Sequence, residues 1–130
     1  MSDSRVPSPL LFVYGTLLPG QRAHSQIAPY AENWRSATTD GLLFALPGGY
    51  PGLLATRGHT VQGQLCRLRA PAAALLSLDE FEGDEYVRVM RPVRTETERV
   101  HAWCYVLADS ATTRDCPRIE RGDWLGYTTR

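Results

Sequence analysis

Val61-Gln62-Gly63-Gln64-Leu65-Cys66-Arg67-Leu68, followed after Arg69-Ala70 by Pro71-Ala72-Ala73-Ala74-Leu75-Leu76-Ser77-Leu78, changes its period in mid-course. The first part alternates: Val61, Gly63, Leu65 and Arg67 share one face, and Gln62, Gln64, Cys66 and Leu68 the other. That is a strand in a mixed environment. Pro71 then stands at a helix start, where its missing N–H costs nothing. Ala and Leu, good helix formers, carry the helix to about Phe81. Beyond it, Tyr86 to Val93 and Val100 to Leu107 are strands joined by a polar turn, hence a hairpin. Upstream, the apolar run Leu10 to Tyr14 predicts a short strand buried on both faces. Arg22 to Tyr30 reads as a short helix, and Leu42 to Leu46 as a strand after the Asp40-Gly41 turn. Pro47-Gly48-Gly49-Tyr50-Pro51-Gly52 reads as a rigid loop, and the chain after Ala108 as irregular up to Gly122–Tyr127. Five or six strands with one firm helix predict an α+β domain. Its form is a small, mostly antiparallel β-barrel with one or two packed helices. Residues 1–130 are expected to form a single domain, with 1–9 a flexible lead-in.

Composition excludes several classes of function. Formal net charge is zero, and all fourteen basic residues are Arg. They are scattered singly among acids, with no basic run, which argues against nucleic-acid binding. No apolar stretch approaches the roughly 18 residues a membrane span requires. The polar start Met1-Ser2-Asp3-Ser4-Arg5 lacks the order of a signal peptide. The three cysteines, Cys66, Cys104 and Cys116, are odd in number, widely spaced and outside any metal-binding pattern. Buried thiols in a reduced, cytoplasmic protein are the expectation. His24, His59 and His101 show no ligand spacing, so no metal is expected, and with no Walker loop or dinucleotide fingerprint no organic cofactor is expected.

Two segments carry chemistry. Phe12-Val13-Tyr14-Gly15-Thr16-Leu17-Leu18-Pro19-Gly20 runs an apolar strand into a glycine turn, which leaves backbone N–H groups able to grip an oxygen-bearing ligand. Leu78-Asp79-Glu80-Phe81-Glu82-Gly83-Asp84-Glu85-Tyr86-Val87-Arg88 places Glu82 at the helix end, on one face with Leu75 and Leu78. A carboxylate aimed inward is costly unless it is paired or its pKa rises. The alternative is an ion pair with Arg88 or Arg91, or exposure at a fraying end.

Together these segments resemble the gamma-glutamylcyclotransferase-like (AIG2-like) family. Its signature is an aromatic-Gly-Ser/Thr-Leu/Asn loop followed by Leu-Asp-x-x-Glu-Gly-x-x-Tyr-x-Arg, here Tyr14 to Leu17 and Leu78 to Arg88. The resemblance covers Leu11 to Tyr127 and implies a small barrel of the kind expected above. It implies Glu82 as the catalytic acid–base group, and the loop Tyr14, Gly15, Thr16 and Leu17 as part of a substrate pocket. It sets Tyr50, in a Tyr-Pro segment, beside that pocket. Tyr86 is open to core packing or to a hydrogen bond with Glu82 or the ligand, and Tyr105 to core packing or cavity lining. The activity implied is cyclisation of a small-molecule γ-glutamyl amide, releasing 5-oxoproline and a free amine. A non-catalytic binding or regulatory module on the same barrel is the alternative.

Overall fold

Alternation in the first strand sets the layers of the molecule. In a computed structural model that describes residues 8–129, β1 (Leu10–Val13) sends Phe12 into one buried cluster and Leu11 and Val13 into another. The first cluster fills a barrel with Val61, Leu65, Val93, Ala102, Cys104 and Val106. The second lies between the outer wall and a helix, with Cys66, Leu68, Leu75, Leu78 and Tyr105. A strand apolar on both sides is what this double burial demands.

The strands are β1, β2 (Ala31–Asp40), β3 (Leu42–Leu46), β4 (Tyr50–Leu54), β5 (Thr60–Leu68), β6 (Tyr86–Arg94) and β7 (Arg99–Leu107). The helix α1 (Pro71–Glu82) joins β5 to β6, and a short α2 (Trp124–Thr128) ends the fold. The barrel closes in the order β1-β5-β2-β6-β7. Its ladders are antiparallel except β1 against β7, which is parallel at Leu11↔Trp103. The hairpin β3–β4 is a separate two-stranded sheet, with Leu43 and Leu53 packed into the barrel cluster. This is the expected α+β barrel with a packed helix.

Two local expectations are corrected, at 22–30 and 47–52, and one strand, β2, arises where none is expected. Arg22–Tyr30 is a series of turns around a single 3-10 turn at His24–Gln26. The ten-residue β2 lies in a segment with no apolar alternation: Ala37 and Thr39 are its buried residues. Its register against β5 also breaks between Glu32 and Arg35, where Asn33 takes a φ of 57°. The loop expected at 47–52 becomes strand at Tyr50. Pro51, with no N–H to give, is tolerated because β4 pairs on one side. The flexible lead-in lies outside the described residues as far as position 7. Ser8 and Pro9 are tied down by Trp103 Nε1–H to the Ser8 carbonyl at 3.1 Å and Leu68 N–H to the Pro9 carbonyl at 2.7 Å.

All three cysteines are free thiols. Burial pushes the Cys66 and Cys104 thiols up to about 12, so neither carries appreciable thiolate at neutral pH.

Two seams of the barrel are thin, each with a single paired position: β1 against β7 at Leu11↔Trp103 and β2 against β6 at Thr38↔Arg94. Side chains reinforce the second. Fully buried Thr39 donates from its hydroxyl to the Pro92 carbonyl at 2.7 Å, and Arg91 and Arg94 both reach Asp40. Thr39→Val keeps the volume but strands that carbonyl, so urea unfolding is expected to show a loss of about 1–2 kcal/mol.

Candidate active site

Glu82 owes its place to the end of α1. Leu75 and Leu78 bury the helix against the barrel wall, and Asp79 fixes its last turn to the sheet. Arg88 of β6 donates to both Asp79 oxygens, from Nε at 2.8 Å and Nη2 at 3.0 Å. The Tyr105 hydroxyl of β7 donates to Asp79 Oδ1 at 2.7 Å. The Arg88 guanidinium in turn stacks 4.2 Å from the centre of the Trp103 ring. Arg88 holds the Asp79 carboxyl below the usual carboxylate range, with Tyr105 assisting against partial burial. Gly83 then adopts a φ of 70°, a left-handed conformation that stops the helix at Glu82 and turns the chain toward β6.

The Glu82 side chain enters a cavity of about 250 Å³ at one end of the barrel. β1 leaves the barrel there, β6 enters and β7 finishes, so Tyr14, Tyr86 and Tyr105 gather around it. The ion pair with Arg88 or Arg91 is not formed: Arg88 is committed to Asp79, and Arg91 donates to the Asp40 carbonyl. Among the described residues Glu82 has no cationic partner. Desolvation, with the nearby Glu85 carboxylate adding to it, raises its pKa to about 7.

Continuing directly from β1, the Tyr14-Gly15-Thr16-Leu17 turn lines the same cavity, closed by Leu18 N–H to the Gly15 carbonyl at 3.0 Å and Ala23 N–H to the Thr16 carbonyl at 3.0 Å. The N–H groups of Gly15, Thr16 and Leu17 have no acceptor among the described residues. The loop is braced from behind by His24 Nδ1, 2.8 Å from the Leu17 carbonyl. Gly15 is required for a reason the sequence did not show. Its backbone is ordinary, but a Cβ there would lie 2.5 Å from Pro51 Cγ, so the loop and β4 are in direct contact.

Phenols fix the remaining wall. Tyr86 donates to the Pro51 carbonyl at 2.6 Å, Tyr14 to the Tyr105 carbonyl at 2.7 Å, and Tyr50 to Glu85 Oε1 at 2.7 Å. Burial is the main cause that keeps Tyr14, Tyr86 and Tyr105 protonated, well above the ordinary phenol range. The fold thus brings Glu82, Tyr14, Gly15, Thr16, Leu17, Tyr50, Tyr86 and Tyr105 to one cavity. Tyr86 does not hydrogen-bond Glu82; its hydroxyl holds the hairpin instead. Pro51, in the Tyr-Pro segment set beside the pocket, does line it, whereas sequence reasoning missed Arg22, Phe81 and Glu85. For Glu85 a signal existed, since it follows Glu82 by one turn's spacing. For Arg22 there was none, because the helix expected there misplaced it. Among the described residues no cluster of His, Cys, Asp and Glu could hold a metal ion, and no helix is long and apolar enough to cross a membrane.

A small barrel whose end is a tyrosine-walled pocket, with one unpaired carboxyl facing a turn of free N–H groups, defines a class of small-molecule sites. The chain belongs to the gamma-glutamyl cyclotransferase, AIG2-like family, whose model matches residues 11–126. Solved structures agree on the fold. YkqA from Bacillus subtilis aligns over 95% of this chain with a TM-score of 0.77 and 26% identity, and the chain spans 42% of its length. A uropathogenic E. coli-specific protein aligns over 96% of this chain and 98% of its own, at a TM-score of 0.75 and 19% identity. An AIG2-like protein from Mus musculus aligns over 86% of both chains, at a TM-score of 0.73 and 24% identity. No curated protein matches the chain in sequence.

The raised pKa of Glu82 has a signed effect on stability. The native state favours the protonated form, so stability is greatest below the unfolded value of about 4.3 and declines as pH rises toward 7, then levels off. Glu82→Gln removes that decline. Urea unfolding should show the variant more stable than wild type at pH 8, by up to about 3 kcal/mol, with the gap closing near pH 4. The opposite sign at pH 8 would mark Glu82 as an ion-pair residue.

Proposed function

We propose that the protein is a cyclotransferase acting on a γ-glutamyl amide, with Glu82 as the acid–base group. The observation that carries this reading is an unpaired carboxyl with a pKa near 7, desolvated beside a turn of uncommitted N–H groups. A group titrating near the working pH can both accept and return a proton.

The reaction needs little else. The substrate's α-amine and γ-carbonyl are tethered in one molecule, so a five-membered ring forms at high effective molarity without an enzyme nucleophile. Glu82 takes a proton from the α-ammonium, and the freed nitrogen attacks the γ-carbonyl carbon. Negative charge develops on the carbonyl oxygen, where the N–H groups of Gly15, Thr16 or Leu17 serve as fixed donors. Protonated Glu82 then delivers its proton to the departing nitrogen and the amide bond breaks. The second proton, shed by the attacking nitrogen as it becomes the lactam N–H, follows the same route to the amine. The products are 5-oxoproline and a free amine. Tyr14, Tyr50, Tyr86 and Tyr105 shape the walls and exclude water, and their protonated phenols add no competing base.

Incubation with a panel of γ-glutamyl compounds should release 5-oxoproline, detected by mass. Glu82→Gln should lower turnover by roughly two to four orders of magnitude while leaving the protein folded. Retention of more than about a tenth of wild-type turnover would remove Glu82 from the chemistry. Binding of γ-glutamyl ligands without any 5-oxoproline would identify a binding module instead. In the wild type, kcat/KM should climb as pH rises through about 7, where Glu82 becomes the base.

A further inference from the structure

Arg22 is the one cation among the residues that line the cavity, against the two carboxyls Glu82 and Glu85. It leaves the chain just beyond the N–H turn and crosses to the β3–β4 hairpin. There its Nη2 donates to the Gly48 carbonyl at 2.9 Å. Its Nη1 lies 3.3 Å from where a Cβ on Gly49 would stand, a space that Gly49 leaves open. The guanidinium is therefore held over the outer edge of the pocket by backbone, and among the described residues it has no acidic partner. Of the two cavity carboxyls, Glu85 is occupied by the Tyr50 hydroxyl. An arginine with its fork uncommitted to any carboxylate matches a planar, bidentate anion.

The depth of the groups assigns the two ends of a ligand. Gly15 and Leu17 are buried, and Arg22 is exposed. On the cyclotransferase reading, on which this inference rests, the glutamyl unit occupies the deep end by Glu82 and the N–H turn. The departing amine then faces the mouth. We infer that Arg22 is a specificity-determining residue that binds a carboxylate carried by the departing amine, so that the amine released is an amino acid rather than a neutral amine. A pocket bearing two carboxyls would otherwise repel such a substrate.

The test compares γ-glutamylglycine with γ-glutamylglycinamide, which differ in charge at the departing group and little in size. Wild-type kcat/KM should favour the carboxylate by about tenfold, chiefly through KM, and the ratio should shrink as salt rises. Arg22→Ala should bring the ratio near one, and Arg22→Lys should restore part of it. A purely structural role at Gly48 would lower both substrates together and leave the ratio unchanged, which overturns the inference, as would a wild-type ratio near one. In both cases release of 5-oxoproline persists and the cyclotransferase reading stands. Absence of 5-oxoproline from either compound, with neither binding by calorimetry, would overturn both.

Discussion

The clasp of Arg88 and Tyr105 on Asp79 is the contact on which the site depends. Helix α1 has Ala74, Leu75 and Leu78 as its buried residues, a narrow apolar seam for twelve residues. Such a helix would be free to rock on the barrel. Two charge-assisted bonds from β6 and a phenol from β7 seize it one turn before its end. Asp79 is half-exposed, so its contribution to overall stability is modest. Its value is geometric: Glu82, three residues on, inherits a fixed position. The same clasp commits Arg88 to Asp79 and leaves Glu82 without it. One acid is held ionised by its partners and the other is left desolvated with none, so two carboxyls one turn apart are driven to opposite titration behaviour.

Fold class, the β6–β7 hairpin, β5 and α1 were legible because each obeys a single period and is bounded by a turn or a proline. β2 was not. Ala37 and Thr39 are its only buried positions, too few to show an apolar alternation, and what makes it a strand is pairing with β5 from Ala31 to Asp40, a non-local fact. Arg22–Tyr30 failed for a related reason: Ala23, Ile27 and Tyr30 mimic helical spacing, yet Pro29 and a run of turns take the chain elsewhere. The helix-end position of Glu82 was readable from α1 and Gly83. Its freedom from Arg88 was not, because the choice between Asp79 and Glu82 as partner is made by the strand that delivers Arg88. Likewise Gly15 announced itself, but the proline it accommodates lies in a segment that reads as loop.

The walls of the pocket belong to different parts of the architecture. One is the barrel itself, through Tyr14, Tyr86 and Tyr105. The other is the β3–β4 hairpin, which contributes Tyr50 and Pro51 from outside the barrel's ladder. Hydrogen bonds from Tyr86 and Tyr50 and the close approach of Gly15 to Pro51 hold the two together. The chemistry-bearing glutamate is therefore anchored to the rigid part, and the ligand-shaping surface is shared with an appendage.

That division has an evolutionary consequence. The turn at 47–49 is exposed, and its residues belong to no barrel ladder. Insertions, deletions or exchanges at this tip would remodel the rim of the cavity while barrel closure and the seat of Glu82 stay as they are. Selectivity can thus drift at the tip under little constraint, while the reactive centre stays locked to the barrel.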